Sequence, residues 1–298
     1  MLGQIDANTN KWFTNLEDAL GEPDRVYKLD LSGQGLNQIP TELKHFPNLI
    51  ELRIKDNLIT DVGTELSDNT RLETLDLSGN QIESIDFVNL TENALNLKYL
   101  NLRENSLEQI DASINKLKFL AYLDLGGNFI SELDDNIYLR FLKVLVLDNN
   151  SLTDVPPMAI KAPKLKTLNL NANQIEVFDV RVFPSLIALD IGDNPLQKYN
   201  ITISKLEKLI MDWVDFENLE LFPLPVTMEI LSLEHCKLKE VPQDIFKMHK
   251  LTELSLMHNE IEILDARLNE CTKLKTLWIE GNQVQDLEAS EFTFKINK

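Results

Sequence analysis

Aliphatic residues recur along this chain at one spacing, L-x-x-L-x-L-x-x-N-x-L. It is plain in LDLSGNQI at Leu75–Ile82, LNLRENSL at Leu100–Leu107, LDLGGNFI at Leu123–Ile130 and LNLNANQI at Leu168–Ile175. In L-x-L the two leucines share one face of a short strand, because side chains alternate along a strand. The backbone then turns, and the asparagine points back inward. A buried amide offers donors and an acceptor to the backbone groups freed where the chain leaves the strand. Asn57, Asn80, Asn105, Asn128, Asn150, Asn173, Asn194, Asn259 and Asn282 fill this slot and form an expected structural ladder. Gln34, Val214 and Cys236 stand in its place elsewhere. Val214 cannot hydrogen-bond, so an irregular turn is expected there.

About twelve such units follow one another at intervals of roughly 20–25 residues. One unit buries about five aliphatic side chains, at about 1.5–3 kcal/mol each. Ordering its residues costs about 1–2 kcal/mol apiece in backbone entropy. A single unit therefore cannot fold, and stacked units can, so one elongated domain is expected. The repeat resembles that of the leucine-rich-repeat family over residues 26–284. That resemblance implies an α/β-type solenoid, a right-handed horseshoe of about twelve repeats. A parallel β-sheet would line its concave face, with short helices, 3-10 turns and loops on the convex face. Units with Pro after the Asn slot, at Leu36–Leu49, Leu152–Pro156 and Leu238–Pro242, look like the longer repeat type. The segment Leu16–Pro40 is similar to the start of bacterial members of the spirochaete and Bacteroidetes kind.

The ends need covers. Residues 1–25 read as a helical cap in which Asn15 caps LEDAL, with Trp12, Phe13, Leu16 and Leu20 over the first repeat. Residues 285–298 read as a capping strand in which Phe292, Phe294 and Ile296 alternate. From Asp190 to Met228 the units shorten, and Trp213, Val214 and Phe216 replace the usual polar residues.

Composition narrows the function. The 298 residues include 48 acidic and 29 basic side chains, a formal charge of −19. Such a surface repels nucleic acid, whose binding rests on Lys and Arg. No apolar run approaches the roughly 18 residues of a membrane helix. No signal peptide is visible in MLGQIDANTNKW. Cys236 in the Asn slot and Cys271 in an apolar slot read as buried thiols, which suits a reducing cytoplasm. A cell-surface location follows instead if a leader has been removed. GQGLNQ at Gly33–Gln38 lacks the last glycine of a nucleotide loop and sits inside a repeat. No P-loop, H-E-x-x-H or C-x-x-C occurs, so no enzyme, cofactor or metal is expected.

The third, fifth, seventh and eighth positions of each unit should face outward from the sheet. Asp76, Asn101, Asp124, Asn169 and Asp190 fill the fifth column, either as a solvated acidic ladder or as a docking strip for a basic segment. Two apolar groups interrupt it. One is Tyr99 and Tyr122 with Val144, Val146 and Arg103. The other is Ile210, Trp213, Ile230, His235, Met257, His258 and Trp278. His235 and His258 share a column near Glu234 and Asp212, but no third metal ligand of fixed geometry is evident. The expected function is a monomeric, non-enzymatic scaffold whose concave face binds a protein, one with a basic segment if the acidic column docks it. The alternative is an exported bacterial adhesin, similar to internalins, that recognises a glycan or host-surface molecule.

Overall fold

The computed structural model describes residues 10–85, 87, 96–201, 205–216, 219, 223–285 and 292–297. The chain forms two compact units, Met1–Ser151 with Pro156–Lys164, and Leu152–Val155 with Leu165–Lys298. Both are built from the same repeat. In the first, the strands Trp12–Phe13, Lys28–Asp30, Glu51–Arg53, Thr74–Asp76, Tyr99–Asn101, Tyr122–Asp124 and Val144–Val146 pair in parallel, each with the next. In the second, Thr167–Asn169, Ala188–Asp190, Lys208–Ile210, Ile230–Ser232, Glu253–Ser255, Thr276–Trp278 and Lys295–Asn297 do the same.

The register never slips, because a one-residue shift would turn every central leucine into solvent. Leu29, Leu52, Leu75, Leu100, Leu123 and Leu145 lie side by side in the first unit. Leu168, Leu189, Leu209, Leu231, Leu254 and Leu277 do so in the second. All are buried. The returning segments carry 3-10 turns such as Thr41–His45, Ala112–Lys116 and Gln243–Lys247. They also carry short parallel strand pairs: Asp61–Val62 with Ser84–Ile85, Gln109–Ile110 with Glu132–Leu133, and Val177–Asp179 with Lys198–Asn200. These strand pairs add to the short helices, 3-10 turns and loops expected of the returning segments.

The asparagines connect one repeat to the one before. Asn128 donates through Nδ2 to Leu125 O and, across the repeat boundary, to Leu102 O. Its Oδ1 accepts from Leu107 N at 3.0 Å. Asn57, Asn80, Asn105, Asn194, Asn259 and Asn282 make the same kind of double connection. Cys236 reaches the corresponding carbonyls, Met211 O and Glu234 O, with its thiol at 3.2 Å each. A single S–H cannot serve both as fully as an NH₂ does.

The turn at Val214 departs from expectation by being regular. Trp213 keeps φ at 62° and donates its N–H to Glu234 O at 2.8 Å, as Asp193 does to Asp212 O at 2.7 Å. Backbone bonds between repeats hold the turn, and Val214 fills the slot as a wholly buried apolar plug. At the first end, Asn15 Oδ1 accepts from Asp18 N ahead of the helix Leu16–Gly21. Trp12 and Phe13 form a strand there rather than part of the helix. Ala19, not Leu20, faces inward; Leu20 is exposed. At the other end Lys295–Asn297 adds to the strand Thr276–Trp278, while residues 286–291 and 298 of the reading above lie outside the described residues.

Replacing Asn128 with Ala should lower unfolding stability by about 1–3 kcal/mol, because buried backbone groups on two repeats lose partners; urea denaturation measures this. Cys236 and Cys271 are buried, and burial pushes their thiols up to about 12 and about 11. Neither should react with a disulfide reagent at pH 8 in the native protein, and both should react once urea unfolds it, which absorbance of the released thiolate reports.

Candidate functional site

In the first unit, Tyr99 and Tyr122 stack with ring centroids 4.2 Å apart and planes 9° from parallel. The parallel register sets this, since Tyr99 pairs with Tyr122 and Tyr122 with Val144. Both rings are half-buried, and burial raises the pKa of both phenols. The Tyr122 hydroxyl donates to Asp124 Oδ2 at 3.2 Å.

Arg103 sits with the tyrosines in sequence, but its guanidinium is engaged within the fold. It donates from both terminal nitrogens to the two oxygens of Asp148, at 2.9 and 2.8 Å, two repeats further on. Asp124 lies 3.7 Å from it. The guanidinium crosses the intervening repeat where Gly126 stands: a Cβ there would lie 2.4 Å from Arg103 Nη1. Burial works against the Asp148 carboxylate, but the hydrogen bonds from Arg103 and Asn149 hold its pKa below the ordinary value.

The fifth column has a structural use the sequence reading did not assign. Asp76, Asn101, Asp124, Asn169 and Asp190 each accept from the backbone N–H two residues on, at 3.0–3.2 Å. These are side-chain caps on the turn that leaves the strand. Where the fifth residue is Ser232, Asp212 of the preceding repeat takes over and accepts from both Glu234 N and Ser232 Oγ. Burial raises the Asp212 pKa.

The second unit carries the larger group. Every residue that precedes the Asn slot, from Gly33 to Gly281, has φ between 49° and 73°. That region is free for glycine and a clear outlier for bulky side chains. Yet Trp213, His235 and His258 occupy it in three successive repeats, at φ 62°, 55° and 54°. Their rings form one stack: Trp213 to His235 at 3.8 Å and 7°, His235 to His258 at 4.4 Å and 17°. Trp213 remains 59% exposed. Ile210, Ile230, Met257 and Trp278 are half-buried on the same open face, with Ser255 opposite Trp278 in the register. Imidazole lone pairs lie in the ring plane, so face-to-face histidines direct them along parallel planes rather than onto one ion. Among the described residues no three His, Cys, Asp or Glu side chains gather as a metal site.

The family profile described as "Leucine Rich repeats (2 copies)" matches residues 47–90 and 249–291, and "Leucine rich repeat" matches residues 140–196. The chain is a leucine-rich-repeat protein. Human oligodendrocyte-myelin glycoprotein is 26% identical over 240 residues, 74% of this chain and 54% of that protein. A leucine-rich-repeat protein of Leptospira interrogans matches in structure with a TM-score of 0.55 at 21% identity, covering 97% of this chain and 100% of that one. The LRIM1/APL1C complex matches with a TM-score of 0.65 at 18% identity, covering 100% of this chain and 57% of that one. The leucine-rich-repeat chain spans about half or less of the length of the first curated relatives it matches.

Arg103→Ala should destabilise the native protein by about 1–3 kcal/mol at neutral pH, because Asp148 loses a charged two-point partner. A carboxylate with a depressed native pKa contributes its stability above the unfolded value near 3.9 and loses it as pH falls through the native one. The gap between variant and parent should thus be full at pH 7 and shrink as pH falls below the unfolded value near 3.9, as thermal melts across pH would show. Gly126→Ala should reproduce part of the loss.

Proposed function

We propose that this leucine-rich-repeat protein is a non-enzymatic interaction module that holds a protein partner on the open face of its second unit. The observation that carries this reading is the indole of Trp213, exposed on top of a ring stack whose backbone adopts a conformation bulky residues avoid. An exposed aromatic group held at positive φ favours a functional reading. Tryptophan is among the residues that dominate binding energy at interfaces. Trp278, Met257, Ile210 and Ile230 on neighbouring strands supply apolar area around it, and the Tyr99–Tyr122 pair is a separate contact surface in the first unit. Leucine-rich-repeat proteins commonly mediate protein–protein association, and the LRIM1/APL1C match is by its name an assembly. The fifth-column residues cap turns and Arg103 pairs with Asp148, so the reading rests on the rings and apolar side chains instead.

Affinity capture from the native source tests the reading, with the parent protein beside Trp213→Ala/Trp278→Ala. A partner should be retained by the parent and weakened at least about tenfold by the double variant, the loss of one to two anchor residues. Thr167→Ala, on the same face but away from the rings, should leave retention unchanged. A partner that binds the double variant as tightly as the parent overturns the assignment.

A further inference from the structure

Side chains in the column that precedes the Asn slot lean toward the following repeat. Asp56 Oδ1 lies 2.5 Å from where a Cβ on Gly79 would stand, Glu104 Cγ lies 3.1 Å from that of Gly127, and His258 Nδ1 lies 2.3 Å from that of Gly281. At its far end the ring stack therefore leans over Gly281, with His258 exposed. It is open at the near end, where the outer face of Trp213 looks back toward the preceding repeat. The residue of the same column in that repeat is the exposed Asp193, joined to the Trp213 repeat by its N–H on Asp212 O at 2.7 Å. Asp193 is thus the neighbour of Trp213 in this column on the side away from His235.

A carboxylate beside an aromatic face is poorly placed, because that face carries the negative part of the ring quadrupole. A planar cation between them satisfies both groups: it stacks on the indole and pairs with the carboxylate. The surrounding charge is of the same sense. Asp212 and Glu234 lie in the adjoining column, each fixed by a serine hydroxyl, Ser232 for Asp212 and Ser255 for Glu234. The opposite edge of this unit, where the strands begin, differs: Lys166, Lys205 and Lys250 outnumber Glu207 around a shallow hollow of about 340 Å³ there. A basic segment is thus drawn to the strand ends that carry Trp213 and repelled from the strand starts.

Resting on the interaction reading above, we propose that the partner enters through an arginine side chain, whose guanidinium stacks on the outer face of Trp213 and pairs with Asp193, extending the Trp213–His235–His258 stack by one layer. The occupant is a protein segment bearing arginine, not merely positive charge. A lysine ammonium lacks the flat face that the indole matches and gains less there.

Two blocked peptides of equal charge test this, Ac-Arg-Gly-Arg-Gly-Arg-NH₂ and Ac-Lys-Gly-Lys-Gly-Lys-NH₂, titrated into the full chain at low salt and followed by calorimetry and indole fluorescence. Bulk attraction by the charge of −19 acts on both alike, so only their ratio reports the stack. The arginine peptide should bind at least about fivefold more tightly, a difference of about 1 kcal/mol. Trp213→Ala should bring the two within about twofold of each other. That variant keeps a residue the turn accepts, since Ala172 occupies the same column at φ 52°; circular dichroism and a thermal melt verify its fold. Asp193→Asn should weaken the arginine peptide more than the lysine one. Equal affinities in the parent, or an arginine preference that survives Trp213→Ala, overturn the proposal. If the preference is absent while a captured partner still depends on Trp213, the arginine assignment alone fails and the interaction face stands.

Discussion

The asparagine at the end of each strand ties a repeat to its predecessor at least as much as to itself. Its NH₂ holds a carbonyl of its own turn together with one from the turn before, and its oxygen takes an N–H from that earlier turn. None of these groups could reach water, and an unpaired buried polar group is among the costlier defects a fold can carry. The stack is therefore held by interfaces, and a lone repeat has neither enough apolar burial nor partners for its turn. Cys236 shows the tolerance of the arrangement: a thiol finds the same two carbonyls, and Asn259 answers by accepting from both Cys236 N and Leu238 N.

The period of leucines and asparagines was legible because it is local: spacing within about eleven residues decides which side chains point inward. Features that depend on reading down the columns were less legible. Asp76 and its equivalents were weighed as a solvated or docking strip, yet each is followed two residues later by an N–H that needs an acceptor. The Asx turn was present in the local sequence, but outward-facing acid drew attention to charge instead. Arg103 and Asp148 are 45 residues apart, and nothing along the chain links them. Read down the seventh column, however, the order is Arg103, Gly126, Asp148, with a side-chain-free position between opposite charges. The left-handed column is legible in the same way. Gly33, Gly79, Gly127 and Gly281 mark a slot whose left-handed backbone costs other residues; Asp56, Glu104, Asn149, Ala172 and Asp193 bear that cost too, and Trp213, His235 and His258 bear it with rings.

That cost explains why the ring stack is confined to three neighbouring repeats. A single bulky residue at positive φ loses about 1–2 kcal/mol with nothing to offset it. A second ring one strand spacing away returns about 0.5–1.5 kcal/mol through stacking, and the inner ring, His235, is stacked on both sides. Such a group is stable only as a run, and a run ends where the next position offers no ring. At Gly281 it ends with the exposed His258 ring leaning over a position that has no side chain. At Trp213 the next position of the column is Asp193, which offers no ring. The outer face of the indole stays at the surface, and Trp213 is 59% exposed.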